Sequence, residues 1–339
     1  MIATASQLTA GAHAAVVYNP AKISIDRVRP AVTAQQRSHG WEETRWFETA
    51  SEDSGRCAAE QALAGEPTVV IVVGGDGTVR AAAEVMQGTG IPIALVPAGT
   101  GNLLARDLGV PLNDISACVS VAFSGELRNV DVGVAELEEL AGRRASHVFM
   151  VMAGIGLDAA MAQNTSTIAK RHLGWFAYVA PIARSIIANR LFHLDYRIDR
   201  GRARSTRAHT VIVGNCGTLT GNMLLIPAAV IDDGLLDVVM MRPRGRFGWA
   251  RIGTRLTLQG IARRSRLSRE LLRRAPVFHA LAYVQGRQFE ARFETPHLVE
   301  LDGDSFGHAI RVRVSVRPGA LGVRVTARAN PSGFAEPSG

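Results

Sequence analysis

The stretch Thr68-Val69-Val70-Ile71-Val72-Val73-Gly74-Gly75-Asp76-Gly77-Thr78 decides how this chain is read. An apolar, β-branched run breaks into glycines, and a helical stretch from Thr78 to Met86 follows. The order reads as strand, tight turn and helix start. Glycine lets a backbone approach a ligand closely, and a helix N-terminus offers unpaired N–H groups with partial positive charge. Together they suit a phosphate. The turn is not Gly-x-x-x-x-Gly-Lys, for the only lysines are Lys22 and Lys170. Nor is it Gly-x-Gly-x-x-Gly, so a dinucleotide-binding reading loses its main support. Alone, such a turn is equally well explained as structural.

A second unit changes the balance. Ile93–Val96 is another apolar run, followed by Pro97-Ala98-Gly99-Thr100-Gly101-Asn102 and a helical Leu103–Leu108. Two strand–turn–helix units so close together fit adjacent parallel strands whose carboxyl ends form one crevice, across which a polyphosphate would lie.

These motifs resemble those of the bacterial diacylglycerol kinase and sphingosine kinase-like lipid kinases. The resemblance is carried by Asn19-Pro20, Gly74–Thr78, Gly99-Thr100-Gly101-Asn102, Asp131-Val132-Gly133, Gly154-Ile155-Gly156-Leu157-Asp158, Asp232-Asp233-Gly234-Leu235-Leu236-Asp237 and Leu301-Asp302-Gly303-Asp304. The matches keep the family's order and span about residues 14–326.

Strands at 14–18, near 44–49 and at 68–73 alternate with helical stretches at about 26–39 and 52–64. This predicts an α/β, doubly wound, mostly parallel sheet over residues 12–132. Beyond it, Val148–Met152, Leu194–Ile198, His209–Val213, Leu236–Met241, Gln288–Phe293, His297–Leu301 and Arg311–Val316 are short runs bounded by turn residues. They predict a β-rich, antiparallel, sandwich-like second domain over 133–319, with helical insertions at about 157–190 and 244–275. The resemblance implies that a last strand at about 320–327 returns to the first domain. The tail, 328–339, is expected to be disordered.

At 339 residues and 47% hydrophobic content, two soluble cores are affordable. Cys57, Cys118 and Cys216 form no Cys-x-x-Cys, which suits a reducing compartment and argues against zinc. Met1–Ala10 lacks the basic and apolar regions of a signal peptide. The longest apolar window, Trp175–Ala188, is interrupted by Arg184, so no membrane span is expected. Between Arg242 and Arg274 lie 11 arginines and one acid, Glu270, a segment charge of +10 in a chain of +8. Interleaved with Phe247, Trp249 and leucines, this patch reads either as a solvated helical face or as a dock for anionic lipid headgroups. Nucleic acid is not expected, since no reading motif accompanies the arginines.

The resemblance implies an ATP- and Mg²⁺-dependent kinase acting on a lipid hydroxyl. Gly74, Gly75, Asp76, Gly77, Thr78, Gly99, Thr100, Gly101 and Asn102 would hold the nucleotide, and Thr49 matches the family's nucleotide-contacting threonine. Asp76 would coordinate Mg²⁺, directly or through water; the plainer alternative is a carboxylate favouring its own helix dipole. Asp304 is the candidate general base where family members usually carry Glu, one methylene longer. Asp302 or Asp131 are the substitutes, and catalytic impairment is the third option. Asp131 would orient the acceptor hydroxyl or support the base. The resemblance implies a structural Mg²⁺ loop at the Asp233 carboxylate and the Val230 and Leu235 carbonyls; read from the residues alone, Asp232-Asp233-Gly234 is equally well a plain turn. Ile168–Phe192, rich in Leu, Ile and aromatics, reads equally as a lipid entrance or bilayer-resting segment and as a buried helix pair. A cytoplasmic enzyme held peripherally at the inner face of the membrane follows, with a homodimer an open option. The alternatives are an NAD kinase-like enzyme and a catalytically impaired lipid- or nucleotide-binding protein.

Overall fold

The computed structural model describes residues 11–50, 53–156, 191–217, 229–242 and 281–327. The expected helical insertions, most of the arginine-rich stretch and the tail lie outside the described residues.

The first part contains β1 (Ala14–Tyr18), β2 (Arg45–Glu48), β3 (Val69–Gly74) and β4 (Ile93–Pro97), parallel in the order β2-β1-β3-β4. β3 is buried along its whole length and β1 and β4 nearly so. Their unbroken apolar runs are the signature of parallel strands covered on both faces. The cover comes from α1 (Arg29–Ser38), α2 (Arg56–Ala64), α3 (Asp76–Met86), α4 (Leu103–Asp107) and α5 (Ile115–Ser124). Asp114 starts α5 by accepting the Ala117 N–H at 2.9 Å, and the helix turns Cys118, Val119, Ala122 and Phe123 inward. The sequence reading places no element there, and it starts α3 two residues late.

The rest is antiparallel: β5 (Glu126–Glu138), β6 (Arg144–Phe149), β7 (Met152–Ile155), β8 (Phe192–Ile198), β9 (Arg204–Ala208), β10 (Thr210–Gly214), β11 (Leu236–Met241), β12 (Leu281–Gly286), β13 (Gln288–Leu301) and β14 (Asp304–Val325). The path β12-β11-β10-β7-β13-β14-β4 makes one continuous mixed sheet. β14 is the splice: it pairs antiparallel with β13 and β5, and its end lies parallel to β4, with Val323 beside Ile93. The fold is therefore an α/β parallel sheet continued by a β-rich antiparallel unit.

Two cores result. The first gathers β1, β3 and β4 with the inward faces of α2, α3 and α5 and extends to Val130, Val132, Met150 and Ile231. The second holds Phe149, Ile155, Leu194, Leu236 and Phe289. Burying one such side chain contributes about 1.5–3 kcal/mol. In β13, Phe289, Ala291 and Phe293 point inward while Glu290 faces out to pair with Arg197 at 2.6 Å. Gly133 lies opposite Phe149, and a Cβ there would stand 2.2 Å from the Phe149 ring.

Three expected strand boundaries are corrected. Val148–Met152 is not one strand but the break between β6 and β7. Gln288–Phe293 and His297–Leu301 are halves of one strand, β13, whose register shifts between Arg292 and His297 around Pro296. Arg311–Val316 and the last run likewise belong to β14, which shifts between Arg317 and Leu321 around Pro318. Proline has no N–H to give a ladder, so each marks a bulge, not an end.

Candidate active site

β3 and β4 end side by side, with Gly74 paired to Pro97, so both glycine turns leave the sheet together. A Cβ on Gly99 would stand 2.6 Å from the Gly75 Cα, so the two turns touch backbone to backbone. Only glycine permits that approach. Asn102 closes the second turn on itself: its Oδ1 accepts the Gly99 N–H at 3.0 Å and its Nδ2 donates to the Gly99 carbonyl at 2.8 Å. It does so from the left-handed region, φ +48°, which asparagine tolerates better than most residues.

Asp76 ties the turns together. Its Oδ2 accepts the Asn102 N–H at 2.8 Å and its Oδ1 the Leu103 N–H at 2.6 Å. The carboxylate thus opens its own helix, α3, while capping another, α4. Burial pushes its pKa up, the two N–H bonds pull it down, and the charge of Asp304 pushes it up again. Thr78 is buried beneath the first turn. Thr49, just past β2, and Thr78 both flank Gly55: a Cβ on Gly55 would stand 2.6 Å from Thr49 Cγ2 and 3.7 Å from Thr78 Cγ2. Thr100 is exposed at the mouth of the second turn.

The β13–β14 turn faces these loops. Asp302 and Gly303 both have positive φ, +50° and +89°. The buried Asp302 carboxylate accepts the N–H groups of Met150, Val151 and Met152 at 2.7, 2.8 and 3.0 Å. That is what breaks β6 from β7. Burial drives the Asp302 pKa up to about 6 against those three bonds. Asp304, whose side chain is 47% exposed, projects toward the first turn. Its Oδ2 lies 2.9 Å from where a Cβ on Gly77 would be. It pairs with Arg80, Nη2 to Oδ2 at 3.4 Å. The sequence reading missed Arg80; its one signal was the i, i+4 spacing to Glu84.

Asp131 is 1% exposed and spoken for. Its Oδ2 accepts the Gly234 N–H at 2.6 Å and its Oδ1 the Gly319 N–H at 2.7 Å. Neither bond reaches the glycine turns or Asp304. The buried Asn215, also missed, donates to the carbonyls of both Asp131 and Met150, at 2.9 and 3.0 Å. In the loop before β11, Asp232 pairs with Arg128 at 2.8 Å, and Asp233 Oδ1 accepts the Leu235 N–H at 2.9 Å. No group of three or more acidic, histidine or cysteine side chains converges among the described residues. A cation in this loop would rest on the remaining Asp233 oxygen, main-chain carbonyls such as those of Val230 and Leu235, and water. That donor set fits a hard ion that keeps much of its hydration. Among the described residues no helix is long and apolar enough to cross a membrane.

Residues 13–135 match the diacylglycerol kinase catalytic domain, and residues 150–269 match the YegS C-terminal NAD kinase beta sandwich-like domain. A Pseudomonas fluorescens protein described as lipid kinase YegS-like is 32% identical over 222 residues, 64% of this chain and 68% of that one. The chain belongs to the diacylglycerol kinase and YegS-like lipid kinase family. A Mycobacterium tuberculosis diacylglycerol kinase is 30% identical over 187 residues, 55% of this chain; the match spans 58% of that relative's length. A crystal structure of a diacylglycerol kinase from Bacillus anthracis shares the fold, with a TM-score of 0.63, 20% identity and coverage of 93% of this chain and 97% of that one. A second structure from the same organism superposes with a TM-score of 0.71 at 22% identity, covering 93% and 95%.

Proposed function

We propose that this chain is an ATP-dependent lipid kinase that transfers the γ-phosphoryl group to the hydroxyl of a lipid such as diacylglycerol or a sphingoid-type alcohol. The observation that carries this reading is Asp304, a carboxylate of the second unit held against Gly77 in the phosphate-binding turn of the first. An acceptor hydroxyl between them would have the phosphoryl donor on one side and a proton acceptor on the other.

In this mechanism the N–H groups of the Gly74–Thr78 turn and of Thr100 and Gly101 hold the phosphates, with Thr49, Thr78 and Thr100 lining the nucleotide, while the Gly99 and Asn102 N–H groups brace the second turn. The acceptor oxygen forms a bond to the γ-phosphorus while the bond to the bridging oxygen breaks, and ADP leaves with the electron pair. The hydroxyl proton passes to Asp304. Phosphoryl transfer depends chiefly on positioning, and Asp304 stands close against Gly77, which supports an Asp where the family usually has Glu. A bound Mg²⁺ would supply charge neutralisation at the phosphates. Asp76 fits as its holder: burial and Asp304 both disfavour its negative charge, and a cation relieves both. Asp131 takes a bracing role here, because it is fully buried and its bonds tie Gly234 to Gly319, away from the glycine turns and Asp304.

Peripheral docking on the inner face of the membrane, through the Arg242–Arg274 stretch, belongs to the same proposal and rests on that segment's charge. Such an enzyme would be cytoplasmic.

The test is transfer of radiolabelled phosphate from ATP-Mg²⁺ to diacylglycerol, sphingosine, ceramide and monoacylglycerol in mixed micelles, with NAD as a soluble acceptor. A labelled lipid supports the reading and names the acceptor class. Label in NADP favours the NAD kinase alternative, and no label in any acceptor favours a binding protein.

A further inference from the structure

The base proposed above is short and half-exposed, and it faces a second carboxylate. Something must hold it. Arg80 stands on α3 one turn beyond Asp76, on the helix that opens at the phosphate-binding turn. Its side chain is only 8% exposed, and a buried guanidinium persists only where its charge is matched. Two carboxylates and one aromatic ring match it. Nη1 lies 3.6 Å from Glu84 Oε2, Nη2 lies 3.4 Å from Asp304 Oδ2, and the guanidinium carbon sits 4.6 Å from the centre of the Phe306 ring.

Asp304 and Phe306 are two apart on β14, so their side chains share one face of the strand. Arg80 therefore grips that strand at two consecutive same-face positions, by charge and by cation–π contact. Glu84 fixes the guanidinium from behind, within the same helix. The grip opposes the repulsion that Asp304 and Asp76 exert on each other.

From this geometry we infer that Arg80 is a positioning residue, which holds the Asp304 carboxylate at the mouth of the Gly74–Thr78 turn and acts on phosphoryl transfer through it. The inference rests on the proposed base role of Asp304. It assigns Arg80 no contact with substrate.

A double-mutant cycle on the 339-residue chain separates the base role of Asp304 from the positioning role of Arg80, read as kcat for the labelled lipid and KM for ATP. Asp304→Asn alone lowers kcat by about 10²–10⁴-fold, the span of general-base effects. Arg80→Met alone lowers kcat by about 10²-fold, as a misplaced group does, with KM for ATP changed less than about threefold. The double variant is no slower than Asp304→Asn, because residues acting as a unit are not additive. Arg80→Lys keeps the charge but loses the planar fork, so it folds like the wild type and loses about tenfold in kcat. Should Arg80→Met fail to fold, the lysine variant in both Asp304 backgrounds completes the cycle.

Effects that multiply in the double variant, or full kcat in Arg80→Lys, overturn the role of Arg80 and leave the base reading standing. Wild-type kcat in Asp304→Asn overturns the base reading and this inference with it.

Discussion

Asp76 and Asn102 belong to different glycine turns, yet the Asn102 N–H donates to Asp76 Oδ2 at 2.8 Å, and the next residue, Leu103, donates to Oδ1 at 2.6 Å. One carboxylate thereby fixes the spacing of the turns and the entry into α4. It also stands where the proposed Mg²⁺ would be held, so its structural and chemical roles separate only by experiment. Asp76→Asn keeps the volume, but the amide nitrogen cannot accept, which leaves one of the two N–H groups without its partner. The expected loss of stability is about 1–3 kcal/mol. The expected loss in kcat is about 10²–10³-fold, the scale for removing one preorganised electrostatic group. Thermal melting and steady-state kinetics on the same preparation check both. A variant that melts like the wild type and turns over like the wild type would leave Asp76 with neither role.

Gly99→Ala probes the contact between the turns. The added Cβ would stand 2.6 Å from the Gly75 Cα and 2.9 Å from Asn102 Oδ1. The first neighbour is backbone and cannot swing away, so the turns must separate. Overpacking of this kind costs about 1–3 kcal/mol. The separation also moves the phosphate-binding N–H groups, so KM for ATP should rise by about tenfold or more. Nucleotide titration by calorimetry reads the change; unaltered ATP affinity would detach the nucleotide from these turns.

How much of this was legible beforehand follows the range of the forces. The paired turns could be read because strand, glycine and helix are written within one stretch of chain. The β6–β7 break could not, because it is made by Asp302, which stands 150 to 152 residues further on. Val148–Met152 on its own is a good strand sequence, and three N–H bonds to a distant carboxylate override it. Pro296 and Pro318 were visible as punctuation, but whether a proline ends a strand or bulges it depends on the strands alongside. Arg80 is 224 residues from Asp304, and nothing near it in sequence announces the pairing. Asp131 is the reverse case: the family resemblance pointed to it, and its partners, the N–H groups of Gly234 and Gly319, lie 103 and 188 residues away, beyond anything its neighbours in sequence announce.

Gly133 itself carries a prediction about stability alone. Its missing side chain is the space into which the Phe149 ring fits, 2.2 Å from a would-be Cβ. Gly133→Ala should lower stability by about 1–3 kcal/mol, since either β5 or the ring must move. Gly133→Ala combined with Phe149→Leu should recover part of that loss. Urea denaturation of the two variants measures it, and equal instability in both would mean that the clash is not the cause.

The proposed cation in the loop before β11 predicts a stability gain on adding Mg²⁺ that does not require nucleotide. A ligand at a hundredfold its Kd stabilises by about 2.7 kcal/mol when it binds only the folded chain. Melting of the wild type should therefore rise with Mg²⁺, and Asp233→Ala should abolish the rise. Asp76→Asn should retain it, since the catalytic ion is expected to arrive with ATP. If Asp233→Ala keeps the full rise, the ion sits elsewhere.

Asp302 makes the last prediction, and its sign is opposite to that of a salt-bridged carboxylate. Burial raises its pKa from 3.8 to about 6 in the folded chain. Between those values the folded protein holds a proton that the unfolded chain has released, so stability falls as pH rises. The contribution is complete below about pH 4, is lost as pH rises through about 6, and stays lost above. The difference amounts to roughly 3 kcal/mol at about 1.4 kcal/mol per unit. Carboxylates with lowered pKa, such as Asp53 and Glu290, titrate in the other direction and would mask the effect in the wild type alone. Subtracting the curve for Asp302→Asn removes them. Denaturant midpoints measured from pH 4 to 8 should give a wild-type-minus-variant difference that declines up to about pH 6 and is flat beyond it. A difference flat from pH 4 upward would mean that the three N–H groups of Met150–Met152 hold Asp302 ionised throughout, outweighing its burial.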